Sequence, residues 1–449
     1  MERVQIDDAL ERVRAALERD DFEQAITAIR RLRPADQADI VAELAPEDQL
    51  ALLPRLEPAQ SADILEEMEE AEAADLAESL PPETLSRIVD EMEPDEAADL
   101  LGDIPPEHAE AVLAKLEEPG DVRPLLMHPD DRAGGLMTSE FLALRRRTTV
   151  ADALNAVRRW RPDGHTADEL YVIDQDGVLH GVVTLRQLIM ADPNQRMVDI
   201  MNPEVINVSL ETDQEECARL FKRYDLLTLP VVDEQHRLVG VITVDDVVDV
   251  LQEEATEDIQ RLGGTQPLGG PYLDTAVTRV ARNRINWLLI LFVTETLTGS
   301  VLRAFSGELQ AEVALAYFIP LLIGTGGNTG SQTTSTIIRA LAVGDIRLSD
   351  ALRVLWHEMR VGLLLGTAMC VAGFARALTW GTNGAVAAAV GLALLMIVLW
   401  ANIVGSVLPL LASRLRIDPA IISGPFMSTL VDATGLLIYM FIAKLILGI

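Results

Sequence analysis

Cysteine is nearly absent: 449 residues include two, Cys217 and Cys370, far apart and without metal-type spacing. A disulfide framework and a zinc site are therefore not expected. The N-terminal stretch MERVQIDDALERV is charged and has no apolar h-region, so no cleaved signal peptide is expected. No nucleophile–base constellation, P-loop or dinucleotide fingerprint occurs, and the six histidines, His108, His128, His165, His180, His236 and His357, show no ligand spacing. These absences argue against an enzyme. Basic surface is also missing where a nucleic acid would need it.

What is present divides sharply. Residues 279–449 carry 12 Lys+Arg against 8 Asp+Glu, whereas residues 1–278 carry 25 against 62. The first part repels itself and attracts divalent counterions. A chain this long is expected to form more than one domain.

Residues 33–116 repeat every twelve, from RPADQADIVAEL to PPEHAEAVLAKL. Most units have proline second (Pro34, Pro46, Pro58, Pro82, Pro94, Pro106), where a helix's first turn tolerates the missing N–H. Leu, Ile or Met closes each unit. The pattern predicts a right-handed solenoid of short helices, each burying a narrow apolar face on the next.

A second repeat, offset by 59, matches Leu170–Thr184 to Leu229–Thr243. Each copy reads as strand, turn, strand and then a helix capped by Thr184 or Thr243. This resembles a tandem pair of CBS domains. The last helix continues as an acidic connector that breaks at Gly263-Gly264.

Beyond residue 279 the chain reads as membrane protein. Five apolar spans fall near 285–305, 313–340, 356–379, 385–412 and 420–447, each long enough for the hydrocarbon core. Nine of the twelve bases in this part lie on the side of the soluble part and three on the other, which predicts a cytoplasmic N-terminal part and an external C-terminus.

Two intramembrane features carry chemistry. The run Gly324–Thr336 is thirteen consecutive small or polar residues, which cannot all face lipid. It serves close helix packing, a pore lining in which Asn328, Gln332 and threonine hydroxyls meet the waters of a hydrated ion, or both. In the last span Asp432 has no Lys or Arg within eleven residues on either side. A carboxylate there costs at least about 2.5–3.5 kcal/mol unless paired, hydrated or liganding a cation. The competing reading is a buried capping Asp beside a helix broken at Pro425. Mg2+ suits one or two carboxylates because it retains most of its waters, and one Asp432 from each of two subunits on a two-fold axis would supply them. For Glu295, packing and an auxiliary site stand equally. Asn402 is read as a hydrogen bond between helices, and His357 as interfacial.

With these residues in view, the chain resembles the MgtE family of magnesium transporters and channels over nearly its full length. The matches are AGGLMT at 133–138, PLLIGTGGNTGSQ at 320–332 and the P-x-x-S-T-x-x-D run through Thr429 to Asp432. The resemblance implies a mixed fold: an α-helical solenoid domain (1–130), α/β tandem CBS domains (131–252), a connecting helix and linker (253–278), and an all-α pore domain of five helices (279–449). It implies a homodimer in the lipid of the inner membrane, with Asp432 holding the ion in a pore gated by cytosolic Mg2+. The acids that fit regulatory Mg2+ sites are Asp90, Asp95, Asp213, Glu215, Asp225, Asp245, Asp246, Asp249, Glu254, Glu257 and Asp258. In CBS modules an acid after the capping Thr commonly contacts a ribose. The second copy keeps Asp246 there and the first has Gln187, which puts an ATP site in doubt without excluding one. Two other functions fit part of the sequence: a coupled exchanger using Asp432 and Glu295, and a membrane-tethered CBS sensor that transports nothing.

Overall fold

The structure is a computed structural model that describes residues 2–160, 168–268, 272–273, 275–422 and 424–448. His165 and linker positions 269–271 and 274 lie outside the described residues. The chain divides into two compact units, Met1–Glu254 and Ala255–Ile449.

In the first unit the twelve-residue period becomes a series of short helices. Six of them begin on the second-position proline: Pro34–Ala42, Pro46–Leu52, Pro58–Glu66, Pro82–Val89, Pro94–Asp103 and Pro106–Leu113. The fourth unit has Glu70 at that position and still forms Glu70–Ser79. Six of the seven closing residues, Leu44, Leu56, Met68, Leu80, Met92 and Ile104, are buried, and Leu116 is partly buried. The partner of each helix differs from expectation: Pro34–Ala42 packs chiefly on Pro58–Glu66, and Glu70–Ser79 on Pro94–Asp103, so contact skips one unit. The residue before each helix is extended, before Glu70 as before the prolines, so the chain turns between units and successive short helices do not lie alongside one another. The apolar faces then meet every second helix.

The α/β portion contains two three-stranded sheets built alike. The strands are β1 (Ala143–Arg145), β2 (Glu169–Ile173), β3 (Leu179–Thr184), β4 (Val208–Ser209), β5 (Thr228–Val232) and β6 (Leu238–Thr243). In each sheet the first strand runs parallel to the second and the second antiparallel to the third. The 59-residue offset survives in the register: Glu169 pairs with Thr184, and Thr228 with Thr243. Tyr171, Leu179, Val232 and Val241 share one apolar cluster drawn from both copies. Gly240 lets the Met137 side chain lie against β6, since a Cβ there would clash with its sulfur; Gly181 does the same for Met201, whose sulfur would stand 2.6 Å from a Cβ.

Thr184 caps the helix Leu185–Met190 through a capping box with Gln187. Thr243 begins a longer helix, Val244–Leu262, which runs unbroken through the connector. That helix stops where Gly263-Gly264 predicts: Gly264 has φ +73°, and the Thr265 N–H reaches back to the Gln260 carbonyl at 3.0 Å.

In the second unit, four helices among the described residues are long and apolar enough to cross a membrane: Val277–Ala304, Leu348–Thr379, Gly384–Arg414 and Gly424–Leu447. A fifth, Ala314–Ala342, has 29 residues, and its apolarity is interrupted by the run Gly324–Thr336. The core lies among Ala314–Ala342, Gly384–Arg414 and Gly424–Leu447. Helix Val277–Ala304 packs on Gly424–Leu447 and leaves nearly all its apolar surface uncovered.

Candidate ion-binding sites

Helical periodicity splits the polar run of Ala314–Ala342 into two faces. Gly326, Gly327, Gly330, Thr333 and Thr334 are buried. A Cβ on Gly326 would lie 2.6 Å from Ile397 Cγ2 and 2.9 Å from Val431 Cγ1, and one on Gly327 would lie 3.1 Å from Ser428 Oγ. Small residues therefore set the approach of this helix to Gly424–Leu447. Polar atoms on the packed face are satisfied internally. Thr333 donates to Asn402 Oδ1 at 2.7 Å, Thr334 to the Gly405 carbonyl at 3.2 Å, and Ser331 to the Gly424 carbonyl at 3.0 Å. Asn402 is 1% exposed and joins three helices, since its amide also donates to the Glu358 carbonyl at 3.5 Å. Asn328 and Gln332 lie on the other face, one turn apart and exposed. The two readings of this run thus apply to different faces of one helix.

Asp432 lies eight residues into Gly424–Leu447, whose first turn contains Pro425 without a break. It is half-buried and makes no hydrogen bond or ion pair among the described residues; the charged group that acts on it is Glu295 of helix Val277–Ala304. The capping role is thereby removed, and a carboxylate remains in an apolar helix beside a second carboxylate. The Thr429 hydroxyl donates to the Pro425 carbonyl at 3.1 Å, leaving its lone pairs available. Asn328 and Gln332 do not hydrogen-bond to Asp432 among the described residues.

The first unit holds a different arrangement. Asp95 is 5% exposed, its Oδ1 has no hydrogen-bond partner, and burial together with Asp246, Glu96 and Glu93 holds its carboxyl well above the usual range. Glu96 is pushed up to about 8 by burial and then by Asp246, Asp99 and Glu66. Asp99 is pushed up to about 7 by burial and then by Asp130, Glu70 and Asp103. Glu66, Glu70, Glu93, Asp103, Asp246, Asp249 and Glu253 are raised too, burial being the largest cause in each. The repeat helices and Val244–Leu262 thus set acids against acids. No group of three His, Cys, Asp or Glu side chains among the described residues is placed to hold a metal ion.

Of the acids expected in regulatory sites, Asp95, Asp245, Asp246 and Asp249 fall in this cluster. Others have local partners. Asp90 accepts the Glu117 N–H at 2.8 Å. Asp213 caps Gln214–Tyr224 through the Glu215 N–H and pairs with Arg132 at 3.3 Å. Asp225 ends that helix at φ +49°. Glu254 accepts from Gln214 at 2.7 Å, and Glu257 pairs with Arg261. Glu215 and Asp258 also have interaction partners. Glu66, Glu70, Glu93, Glu96, Asp99, Asp103 and Glu253 were not singled out from sequence. Glu70 had a signal: its unit is the one with an acid where the others carry proline.

Comparison with known proteins agrees with this division. Residues 319–442 match the MgtE divalent cation transporter family, residues 32–131 the MgtE intracellular N domain, and residues 133–194 and 198–253 CBS domains. The magnesium transporter MgtE of Thermus thermophilus is 47% identical over 327 residues, 73% of this chain and 72% of that one. MgtE of Enterococcus faecalis is 35% identical over 73% of this chain and 72% of that one. A crystal structure of the cytosolic domain of the Mg2+ channel MgtE in complex with ATP is 39% identical, with a TM-score of 0.51 over 54% of this chain and 99% of that one. With a transporter match on the helices that carry the polar run and Asp432, and an extended likeness at 47% identity, this chain belongs to the MgtE family of divalent cation transporters.

Proposed function

We infer that the chain transports Mg2+ through a path that passes Asp432. The observation that carries this is the isolation of that carboxylate: half-buried in an apolar helix, without hydrogen bond or counter-charge among the described residues, and beside Glu295. Such a group is stabilised by a cation and destabilised without one. Mg2+ keeps several waters, and the exposed amides of Asn328 and Gln332 suit those waters, with Thr429 adding an acceptor. The relatives named as magnesium transporters support this ion. Ala314–Ala342 crosses the membrane with the four more apolar helices and turns its polar face to the path. The site is completed by a second copy of the chain, so that two Asp432 carboxylates share one ion.

The divisions at 1–130, 131–252, 253–278 and 279–449 then have separate duties, with the N-terminal domains cytoplasmic, the C-terminus external and the role transport rather than catalysis. In the cytoplasmic part, acids brought together at a cost are the sensor. Hydrated Mg2+ bridging Asp95, Asp246 and their neighbours relieves the repulsion and favours the compact state in proportion to its differential affinity. The remaining acids, Asp90, Asp213, Glu215, Asp225, Asp249, Glu254, Glu257 and Asp258, tune the same response. ATP is a candidate ligand of this part, supported by the relative whose cytosolic domain was solved in complex with it. Here Gln187 Oε1 is already taken by the Thr184 N–H and hydroxyl, so a ribose there would have to displace a cap, whereas Asp246 uses only Oδ2 on Thr243 and keeps Oδ1 for a ribose hydroxyl.

The test is Mg2+ flux into proteoliposomes for the wild type and Asp432→Ala. Loss of flux in a variant that still folds is expected; selective flux at the wild-type rate would remove Asp432 from the path.

A further inference from the structure

Helix Val244–Leu262 contains seven acids and one base, Arg261, in its last turn. The base does more than neutralise its own helix. Its Nη2 pairs with Glu257 one turn earlier, while Nη1 donates to Asp418 Oδ2 at 2.5 Å, 157 residues away in sequence. The side chains of Arg261 and Asp418 are 37% and 33% exposed, which limits screening of the pair. Asp418 is itself fixed: its Oδ1 accepts the Ala420 N–H at 2.8 Å and opens the short turn Pro419–Ile421. Helix Gly424–Leu447, with Asp432, begins three residues after that turn.

The backbone beyond Arg261 is seated at the same place. A Cβ on Gly264 would stand 2.6 Å from the Trp287 ring and 3.5 Å from Pro425 Cγ, and the Asn283 amide donates to the Pro267 carbonyl at 2.9 Å. The Trp287 and Phe426 rings lie against each other at a tilt of 42°, with centroids 6.4 Å apart. The apolar contacts fix where the helix ends; the ion pair fixes which residue of the turn before Asp432's helix it holds.

The geometry points to Arg261 as a positioning residue that carries movement of this helix to the helix bearing Asp432, through Asp418. The inference rests on the reading above, that flux responds to Mg2+ on the side of the N-terminal domains. It adds a physical route. Glu257 and Asp418 share one guanidinium, so a divalent ion drawn to Glu257 competes with Nη2 and changes the hold on Asp418. A terminal Arg whose role is only to support its own helix needs Glu257 and the helix C-terminus, not Asp418.

The experiment uses the full-length protein in proteoliposomes and compares flux at low and high Mg2+ on that side. Asp418→Asn is the chief variant, because it keeps the oxygen that caps Ala420 and removes the charge. It is expected to keep flux at low Mg2+ within about twofold of wild type and to cut the low-to-high flux ratio about tenfold or down to one, the scale of one charge-assisted hydrogen bond. Arg261→Asp is expected to do the same. A wild-type ratio in Asp418→Asn overturns the inference, as does a wild-type ratio in a folded Arg261→Asp. If Arg261→Asp does not fold, Asp418→Asn decides alone. A wild type that conducts without responding to Mg2+ removes the regulatory reading instead, and one that does not conduct removes the transport reading.

Discussion

If one face of Ala314–Ala342 is for packing and the other for ions, the same substitution two residues apart must have different consequences. Gly324→Ala and Gly326→Ala each add one methyl to one helix, and each gains up to about 1 kcal/mol of helix propensity. At Gly324 nothing lies within 4 Å of the new atom, whereas at Gly326 it falls 2.6 Å from Ile397 Cγ2 and 2.9 Å from Val431 Cγ1. Both neighbours are β-branched and stiff in helices, so relief requires the helices to separate. Overpacking of this kind costs roughly 1–3 kcal/mol. The propensity gain cancels between the variants, and for a unit of this size each kcal/mol moves Tm by about 2–4 °C, so their Tm values should differ by about 2–12 °C. Thermal unfolding of detergent-solubilised protein, followed by intrinsic fluorescence, measures the difference directly. Equal Tm values would refute the close packing of this face, and with it the assignment of the opposite face to the ion path.

Three further outcomes follow. Asn402→Ala leaves the buried Thr333 hydroxyl without its 2.7 Å partner and should cost about 1–3 kcal/mol; adding Thr333→Val should cost little more, and full additivity in thermal melts would contradict a shared bond. The raised carboxyls make folded-state stability fall as pH rises from the ordinary carboxylate range, about 4, through the values near 7 and 8 of Asp99 and Glu96. Mg2+ should therefore raise Tm more at pH 8.5 than at pH 6, where protons already occupy these groups, and an equal rise at both would dissociate the ion from this cluster. Limited proteolysis within residues 250–280 should slow on adding Mg2+; an unchanged rate argues against ion-driven compaction.

Much of the fold was legible because its signals are local. Proline at the second position of a unit places a helix start, Thr184 and Thr243 place caps, and the Gly263-Gly264 pair places a stop, each through backbone chemistry within a few residues. The partner of each repeat helix was not legible, since the angle at the turn between units, not the period, decides whether neighbour or next-neighbour faces meet. The acid cluster escaped for a related reason. Glu96 and Asp99 look like ordinary surface charges in their repeat unit, and they become costly only when folding buries them and brings Asp246 against Glu96 and Asp130 against Asp99. Conversely, Asp90 and Glu254 looked available and are occupied by partners 27 and 40 residues away in sequence. In the apolar helices, Asp432 was legible because a charge there stands out against its surroundings.

The Met137–Gly240 fit bears on where the α/β portion can be cut. The segment ahead of the first copy completes the second: Thr138 exchanges two backbone hydrogen bonds with Val241, at 2.9 and 3.0 Å, while the Ala133 and Gly134 N–H groups reach the Thr212 and Leu210 carbonyls. The AGGLMT stretch is thus the missing edge of a sheet that begins some seventy residues later. A fragment started between the copies would expose β6 along that edge and leave a gap at Gly240, even though it contains every strand of its own half. The two halves are interlaced, and the sequence order of the repeat is not the order in which it can be taken apart.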